Sequence, residues 1–371
     1  MNPSRTNRRM PRGVHAVVLL VHLGWTLLTV PSALAFYLSP ERWNSLGFFA
    51  LIAPGLALGH AFLLLYWTTQ LRRWALISAV ALALTYPQWR GTLNLSLEQS
   101  AEQPLWRVAT WNVHGWRNAS WTNLDSTARL MVEHVEKIDP LVLALQEHRK
   151  SIHPLLALHW PYAHHEPDQG GLAIYSKKPF GRKGYVPFDA PYRGHEGFLW
   201  ADCALPAGDT VRLINVHLVT TTFVPERYET LDPDVPAEPS NQWVREGSDI
   251  AVRLGRASAR RAMQVQQVAD FAANSPHPVV WCGDFNDTPS SFTYRTATRN
   301  AQDAFLQAGK GFGNTYTKLA LVPLRIDHIL VQEPWHAVGY AVWKQPFSDH
   351  HPVAVDFATA DTLGATSVET R

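Results

Sequence analysis

The stretch PVVWCGDFND, residues 278–287, is typical of a buried β-strand that ends in polar side chains. Residues two apart lie on the same face of a strand, so Asp284 and Asn286 point the same way. Gly283, just before them, allows a second backbone or a ligand to approach closely. We therefore expect a polar site at the end of this strand.

Other short apolar segments carry polar side chains at one end in the same manner. They are RVATWNVHG at 107–115, LVLALQEH at 141–148, VRLINVHL at 211–218, RIDHILV at 325–331 and SDHHP at 348–352, which precedes a strand at 353–357. Helical stretches separate the segments, and this alternation predicts an α/β fold. One polar strand end usually just meets water, but so many together indicate a shared site.

The side chains at these ends favour one kind of chemistry. Clustered oxygen ligands suit Mg²⁺ or Mn²⁺, and neutral imidazoles beside them suit proton transfer near neutral pH. The sequence has no G-x-x-x-x-G-K-[ST], G-x-G-x-x-G or G-x-S-x-G pattern, which disfavours nucleotide kinases, Rossmann enzymes and serine hydrolases. It also lacks H-E-x-x-H, which disfavours zinc, and its two Cys exclude a disulfide framework.

The ordered set TWNVHG, LQEH, GGLAIYS, NVHL, CGDFND, RIDHIL and SDHHPV resembles the endonuclease/exonuclease/phosphatase superfamily. That superfamily includes deoxyribonuclease I-like nucleases, abasic-site endonucleases, neutral sphingomyelinases and inositol-polyphosphate phosphatases. The resemblance covers residues 105–358 and implies a four-layer α/β sandwich, in which two packed mixed β-sheets are flanked by helices. The front of the chain resembles that of a bacterial membrane-anchored branch.

The resemblance also implies a metal site that holds Mg²⁺, with Mn²⁺ as an alternative. Glu147 corresponds to the principal ligand, Asn112 lies close to it as a second ligand and as one of the catalytic residues, and Asp349 helps to hold the ion. Position 114 is His, where abasic-site nucleases carry Asp. His114 therefore either contacts the metal or only lines the rim.

The remaining residues of the pattern correspond to the catalytic groups of the family. Asp284 would orient or deprotonate the attacking water, and Asn286 would hold the nucleophile or a phosphate oxygen. His350 would contact the scissile phosphate, with Asp327 as its orienting carboxylate. His217, where abasic-site nucleases carry Tyr, would lie near the leaving group.

The front of the chain differs from the rest in charge and hydropathy. Residues 1–100 carry 8 Lys and Arg against 2 Asp and Glu, whereas residues 101–371 carry 25 against 29. No charged side chain occurs at 13–40, 43–71 or 74–89, which predicts an anchor at 1–89 of three transmembrane helices, about 14–38, 46–68 and 74–89. We expect a linker at 90–104, a catalytic domain at 105–358 and a flexible tail at 359–371.

Arginines flank these segments unevenly. Four precede the first span, at positions 5, 8, 9 and 12, and Arg72 and Arg73 precede the third. The positive-inside rule then predicts a multi-pass protein of a bacterial inner or plasma membrane, with its catalytic domain extracytoplasmic. The first span ends near Ala33-Leu34-Ala35, so a cleaved signal peptide is the alternative to an uncleaved span.

Two loops have open roles. Residues 220–250 form a long Pro-rich segment that is either a lid over the substrate or an insertion without a role. The segment GKGFGNTY, 309–316, either lies near the site, where Lys310 meets an anion, or forms a plain turn.

These features predict a membrane-anchored, Mg²⁺-dependent phosphoesterase that hydrolyses phosphodiester or phosphomonoester bonds. The alternatives are a secreted-side nuclease that acts on DNA and an inactive binding or scaffold protein on the same fold. Duplex DNA requires a basic surface, and the domain is net acidic. We therefore expect a lipid-linked or small phosphoester as substrate and the lipid bilayer as a partner, and the sequence indicates no protein partner.

Overall fold

The structure is a computed structural model. It describes residues 11–96, 100, 102–116, 124–165, 171–189, 197–221, 242–318 and 323–359. The tip of the predicted 220–250 loop (222–241) and all but the first residue of the predicted 359–371 tail lie outside the described residues.

The anchor consists of helices that pack side by side. They are α1 (Arg12–Tyr37), α2 (Leu46–Thr69), α3 (Ala75–Leu84) and α4 (Tyr86–Arg90). The first two are long and apolar enough to cross a membrane. The third predicted span is not confirmed, because the helix is interrupted at Thr85 and α3 has only 10 residues. Ten helical residues rise about 15 Å, which is half of a bilayer's hydrocarbon core.

The predicted catalytic domain contains two mixed sheets. The strands of the first are β1 (Trp106–Asn112), β2 (Val142–Gln146), β3 (Tyr162–His165), β4 (Ala173–Ser176), β11 (Trp335–Val342) and β12 (Val353–Thr359). Those of the second are β5 (Phe180–Pro187), β6 (Gly197–Ala204), β7 (Thr210–His217), β8 (Val279–Asp284), β9 (Gln302–Asp303) and β10 (Asp327–Val331). Their orders are β11-β12-β1-β2-β4-β3 and β5-β6-β7-β8-β10-β9.

Apolar side chains from both sheets meet between them and form the central core. Val142 and Ile174 of the first sheet pack there with Leu213, Val280 and Cys282 of the second, and all are fully buried. The two cysteines, Cys203 of β6 and Cys282 of β8, are free and buried.

Helices cover the outer face of each sheet. They are α5 (Leu124–Ile138), α6 (His153–Leu156), α7 (Gln242–Ala273) and α8 (Phe292–Ala297). A further helix, α9 (Ala304–Ala308), packs instead against the central core through Ala304. Met131 and Val135 of α5 pack on the first sheet, and Val265 and Val268 of α7 pack on the second. The predicted four-layer α/β sandwich is therefore confirmed. Helix α7 begins at Gln242, so the last nine residues of the predicted loop are helical.

The register of the strands brings their polar ends to one rim. In the first sheet β1 and β2 are parallel, with Asn112 opposite Gln146, so Glu147 follows directly. In the second sheet β7 and β8 are parallel, with His217 opposite Asp284, and β10 runs antiparallel with Asp327 also opposite Asp284. Strands that end together place their last side chains together.

The described part of the segment after α4 is bound to residues beyond 104. The Arg325 guanidinium donates to the Gly91 carbonyl at 2.8 Å, and Asn94 forms a backbone bridge with Gly311. Glu102 accepts from His336 at 2.8 Å. Buried backbone groups need hydrogen-bond partners, and those of Gly91 and Asn94 find them beyond residue 104. The expected linker at 90–104 therefore connects the domain to the anchor through these contacts.

The anchor also contacts the domain through helices. Gly255 of α7 lies so close to the loop between α1 and α2 that a Cβ there would be 2.6 Å from the Asn44 carbonyl oxygen. The Gln88 amide of α4 donates to the Ser290 carbonyl at 3.2 Å. The anchor and domain therefore share a packed interface.

Candidate active site

Asp284 is the centre of the rim. It ends β8 with only 1% of its surface exposed. The Asn112 amide donates to Asp284 Oδ2 at 3.0 Å, and the Asn286 backbone N–H donates to Oδ1 at 2.8 Å. A buried polar group is costly unless it is hydrogen-bonded, and these donors satisfy both oxygens. The predicted catalytic Asp284 thus has a fixed orientation.

His350 and Asp327 form a buried pair beside it. The imidazole Nδ1 lies 2.9 Å from Asp327 Oδ2, and Nε2 lies 3.7 Å from Asp284 Oδ2. Burial by itself would lower the pKa of His350, but the carboxylates of Asp327 and Asp284 raise it to about 10. The ring therefore carries a positive charge at neutral pH, and Nε2 points at the rim as a hydrogen-bond donor.

His217 and Asn286 complete this side of the site. The imidazole Nε2 of His217 lies 3.6 Å from Asp284 Oδ2. This nitrogen of His217 is buried and has no hydrogen-bond partner. The Asn286 amide donates to the Leu218 carbonyl at 2.9 Å, and the residue has a left-handed backbone with φ 51°. Left-handed backbone in residues with a Cβ is strained and concentrates at functional sites.

Glu147 lies across the rim at the end of β2. Its Oε1 accepts from the Asn112 amide at 3.1 Å. The backbone of Glu147 is also left-handed, with φ 53°, and a Cβ at Gly171 would be 2.9 Å from its Cα. Because Asn112 donates to both Glu147 and Asp284, it holds the two carboxylates of different sheets together. A role for Asn112 as a direct metal ligand stays a prediction.

Asp349 is held by a residue that the sequence did not indicate. The Lys318 ammonium lies 2.6 Å from Asp349 Oδ2. Burial would raise the pKa of Asp349, but the hydrogen bond from Lys318 and the nearby His350 and His114 hold it below its ordinary range. The other oxygen, Oδ1, is buried without a hydrogen-bond partner. An ionised carboxylate with a free oxygen is suited to hold a cation.

Two sets of side chains at the rim can be compared as metal ligands. Asp284, Asp327 and His350 offer atoms within 4.8 Å of one another. However, Nδ1 of His350 is bound to Asp327, and its Nε2 carries a proton at neutral pH, so the ring does not offer a lone pair. Glu147 and Asp349 fit a divalent ion better, because each has a carboxylate oxygen that accepts no hydrogen bond from a described residue, whereas both oxygens of Asp284 accept one.

The 309–316 segment reaches the site at its far end. Thr315 Oγ accepts from the backbone N–H of Asp327 at 3.2 Å, and the Tyr316 ring lies 5.0 Å from that of His350. Nearer its start, Lys310 lines a cavity of about 600 Å³ that includes none of the predicted site residues. The segment therefore packs against the His350–Asp327 pair through Thr315 and Tyr316. In the sequence, only the position of the segment just before RIDHIL indicated that it lies near the site.

Comparisons with known proteins agree with this geometry. The family model described as Endonuclease/Exonuclease/phosphatase family matches residues 109–350, and a domain of unknown function (DUF8431) matches residues 15–92. No curated protein matches the chain.

Several solved structures have the same fold. An endonuclease/exonuclease/phosphatase family protein from Bacteroides thetaiotaomicron is 17% identical with a TM-score of 0.50, covering 69% of this chain and 98% of its own. One from Beutenbergia cavernae is 19% identical with a TM-score of 0.50, covering 69% and 72%. SmcL is 17% identical with a TM-score of 0.50, covering 68% and 99%. Because the family model spans more than half of the sequence, this chain belongs to the endonuclease/exonuclease/phosphatase family.

Proposed function

We propose that this protein is a membrane-anchored, metal-dependent phosphoesterase with an extracytoplasmic site, and that its substrate is a small or lipid-linked phosphoester. The observation that carries the proposal is the meeting of Asp284, His350, His217 and Glu147 at one rim, each from a different strand end or loop. Family membership makes phosphate-ester hydrolysis the expected chemistry.

Glu147 and Asp349 would hold a divalent ion of the Mg²⁺ or Mn²⁺ type. When bound, such an ion would supply positive charge against the nonbridging and leaving oxygens of the substrate. Asn112 would keep Glu147 in place through its amide, since the two atoms are 3.1 Å apart. Lys318 would keep Asp349 ionised.

The remaining residues supply the proton transfers and orient the phosphate. Asp284 accepts a proton from the attacking water, since its donors from Asn112 and Asn286 fix it in one orientation. The His350 imidazolium donates from Nε2 to a nonbridging oxygen, and Asp327 holds the ring. His217 Nε2, which lacks a partner, is free to bind the leaving oxygen.

The interior of the helical anchor supports its placement in a membrane. Three polar side chains, His22, His60 and Ser78, are fully buried, whereas large apolar side chains face outward. The Trp67 indole donates to His22 Nδ1 at 3.0 Å, so Nε2 carries the His22 proton and donates to Ser78 at 2.9 Å. Ser78 then donates to His60, which donates to Thr29 at 2.9 Å. Polar interiors with apolar exteriors suit a lipid surrounding.

The contact between anchor and domain favours a substrate near the bilayer. Ser290 binds Gln88 of the anchor and lies four residues after Asn286. Four residues span at most roughly 14 Å, so the catalytic rim is close to the end of the anchor. A long stiff DNA duplex has less access to such a site than a headgroup does.

The extracytoplasmic placement depends on whether α3 and α4 together cross the bilayer. Residues 75–89 carry no charged side chain, and Tyr86 and Trp89 suit a membrane interface. If they cross, the domain lies opposite the arginine-rich N-terminus.

The test is a substrate panel on the full-length protein in nanodiscs. Phospholipids, a chromogenic phosphodiester, a chromogenic phosphomonoester and plasmid DNA are compared with Mg²⁺, with Mn²⁺ and with EDTA at physiological salt. We expect metal-dependent hydrolysis of a lipid or small ester. Efficient plasmid nicking without hydrolysis of the others would make the nuclease the correct function, and no hydrolysis of any would support the inactive scaffold.

A further inference from the structure

His114 has an unusual backbone at the end of β1. The residues His114, Gly115 and Trp116 have φ values of 46°, 61° and 62°, and such a run is disfavoured for residues with a Cβ. It is held at both ends. The His114 N–H donates to Asn112 Oδ1 at 3.0 Å, and the buried Trp116 indole donates to His148 at 3.1 Å. The fold therefore holds the backbone of His114 at the rim.

The ring nitrogen faces the two carboxylates that suit a cation. His114 Nδ1 lies 3.4 Å from Asp349 Oδ1 and 3.6 Å from Glu147 Oε2. Both distances are longer than good hydrogen bonds. They are close to the separation of neighbouring ligands on one ion, which is roughly 3.0 Å for octahedral bonds of about 2.1 Å and roughly 3.3 Å for tetrahedral bonds of about 2.0 Å. The three ligand atoms do not all lie within 4.8 Å of one another, so the two carboxylates must move closer together to bind one ion.

The three atoms are available for an ion. Asp349 Oδ1 is buried without a hydrogen-bond partner, while its other oxygen is bound to Lys318. Glu147 uses Oε1 toward Asn112, and its side chain is 38% exposed, which gives it room to close on an ion. The His114 side chain is 43% exposed, so it reaches the rim.

We propose that His114 is a third protein ligand of the metal, through Nδ1, beside Glu147 and Asp349. Imidazole binds Mn²⁺ and other transition ions better than Mg²⁺, which prefers oxygen. The site should therefore select Mn²⁺ over Mg²⁺ more strongly than a site with oxygen ligands alone. This inference rests on the proposed function for the existence of the metal site.

The test measures metal binding directly on the full-length protein in detergent. Calorimetric titration gives the Kd of Mn²⁺ and Mg²⁺ for wild type, His114→Ala, His114→Asp and the control His159→Ala, whose ring faces Glu136 instead. Electron spin-echo spectroscopy of bound Mn²⁺ reports a coordinated nitrogen. Circular dichroism verifies that each variant is folded.

We expect His114→Ala to weaken Mn²⁺ at least about 10-fold and to remove the nitrogen signal. We expect His114→Asp to keep Mg²⁺ binding and to lose the preference for Mn²⁺, and His159→Ala to match wild type. Unchanged Mn²⁺ affinity and an unchanged nitrogen signal in a folded His114→Ala protein would show that His114 only lines the rim.

The outcome separates this inference from the proposed function. A nitrogen signal that depends on His114, in a protein that hydrolyses no ester, would support the ligand and refute the enzyme. Metal-dependent hydrolysis without a nitrogen signal would support the enzyme and refute the ligand.

Discussion

Replacing Asp327 by Asn should move the alkaline limit of activity. Its carboxylate lies 2.9 Å from His350 Nδ1 and is the largest of the influences that raise the pKa of that imidazole, to about 10 from an ordinary 6.5. This difference corresponds to roughly 5 kcal/mol in favour of the charged ring. Asparagine keeps the shape and a hydrogen-bond acceptor but removes the charge. Burial then lowers the pKa against the weaker support of Asp284 and Asp349.

In Asp327→Asn, the pH at which kcat declines on the alkaline side should be lower than in wild type by at least about two units. Wild type should keep its activity up to about pH 9, because His350 loses its proton only near pH 10. At pH 9 the variant should therefore be at least about 10-fold slower, with a smaller loss at pH 6.

The assay is a pH profile of kcat for full-length protein with saturating Mn²⁺. A matched control is Asp356→Asn, which breaks the half-exposed ion pair with Arg107 at 2.7 Å, away from the rim. Its profile should match wild type. An unchanged alkaline limb in a folded Asp327→Asn protein would refute the role of the imidazolium.

The stability of the folded protein should also depend on the ion pair between His350 and Asp327. The raised pKa means that the stabilisation is fully present below pH 6.5 and is lost as pH rises through about 10. Thermal unfolding should therefore occur at lower temperature above pH 9, and this loss should be smaller in Asp327→Asn.

Three further changes have defined outcomes. Glu147→Gln should weaken Mn²⁺ binding by at least about 10-fold, measured by calorimetry, and unchanged affinity would exclude Glu147 as a ligand. Asp284→Asn should slow turnover at least about 10²-fold with little effect on Mn²⁺ affinity, and near-normal turnover would remove Asp284 from the mechanism. Ser78→Ala should lower the free energy of unfolding by about 1–2 kcal/mol, measured by chemical denaturation, because it leaves Nε2 of His22 and Nδ1 of His60 without a hydrogen-bond partner. No loss of stability would show that these hydrogen bonds are replaced.

Acid should destabilise the protein through a second histidine. Burial and the nearby Arg325 lower the pKa of His328 to about 3. The contribution of neutral His328 to the free energy of unfolding is therefore fully present above pH 6.5 and is lost as pH falls toward 3. The unfolding temperature should fall over this range, and His328→Gln should reduce the dependence. Equal dependence in both proteins would contradict this assignment.

Much of the fold follows from the sequence because strand periodicity is local. Asp284 and Asn286 are two apart after an apolar run, and the structure ends β8 at Asp284. Which polar strand ends lie together at the rim, in contrast, depends on the register between strands and on the packing of the two sheets. The sequence of a single strand does not determine either. Only the resemblance to a family related Asp327 to His350.

The features of the site and the anchor that the sequence did not predict depend on contacts between residues distant in sequence or on residues without formal charge. Lys318 follows the 309–316 segment and carries no strand pattern, so we did not expect it at the rim. Tyr316 belongs to that segment, but we expected Lys310 rather than Tyr316 to be the residue near the site. The count of charged residues in the spans also overlooked His22 and His60, which form the buried interior of the anchor. The interruption at Thr85, two residues before Pro87, shortened the expected third span.

The most direct test of the enzyme is the release of product by full-length protein in nanodiscs, with Mn²⁺ or with EDTA, for wild type and Asp284→Asn. We predict time-dependent release from a lipid-linked or small phosphoester that requires the metal and falls at least about 10²-fold in Asp284→Asn. Equal release in EDTA, or equal release by the folded Asp284→Asn protein, would contradict a metal-dependent site built around Asp284.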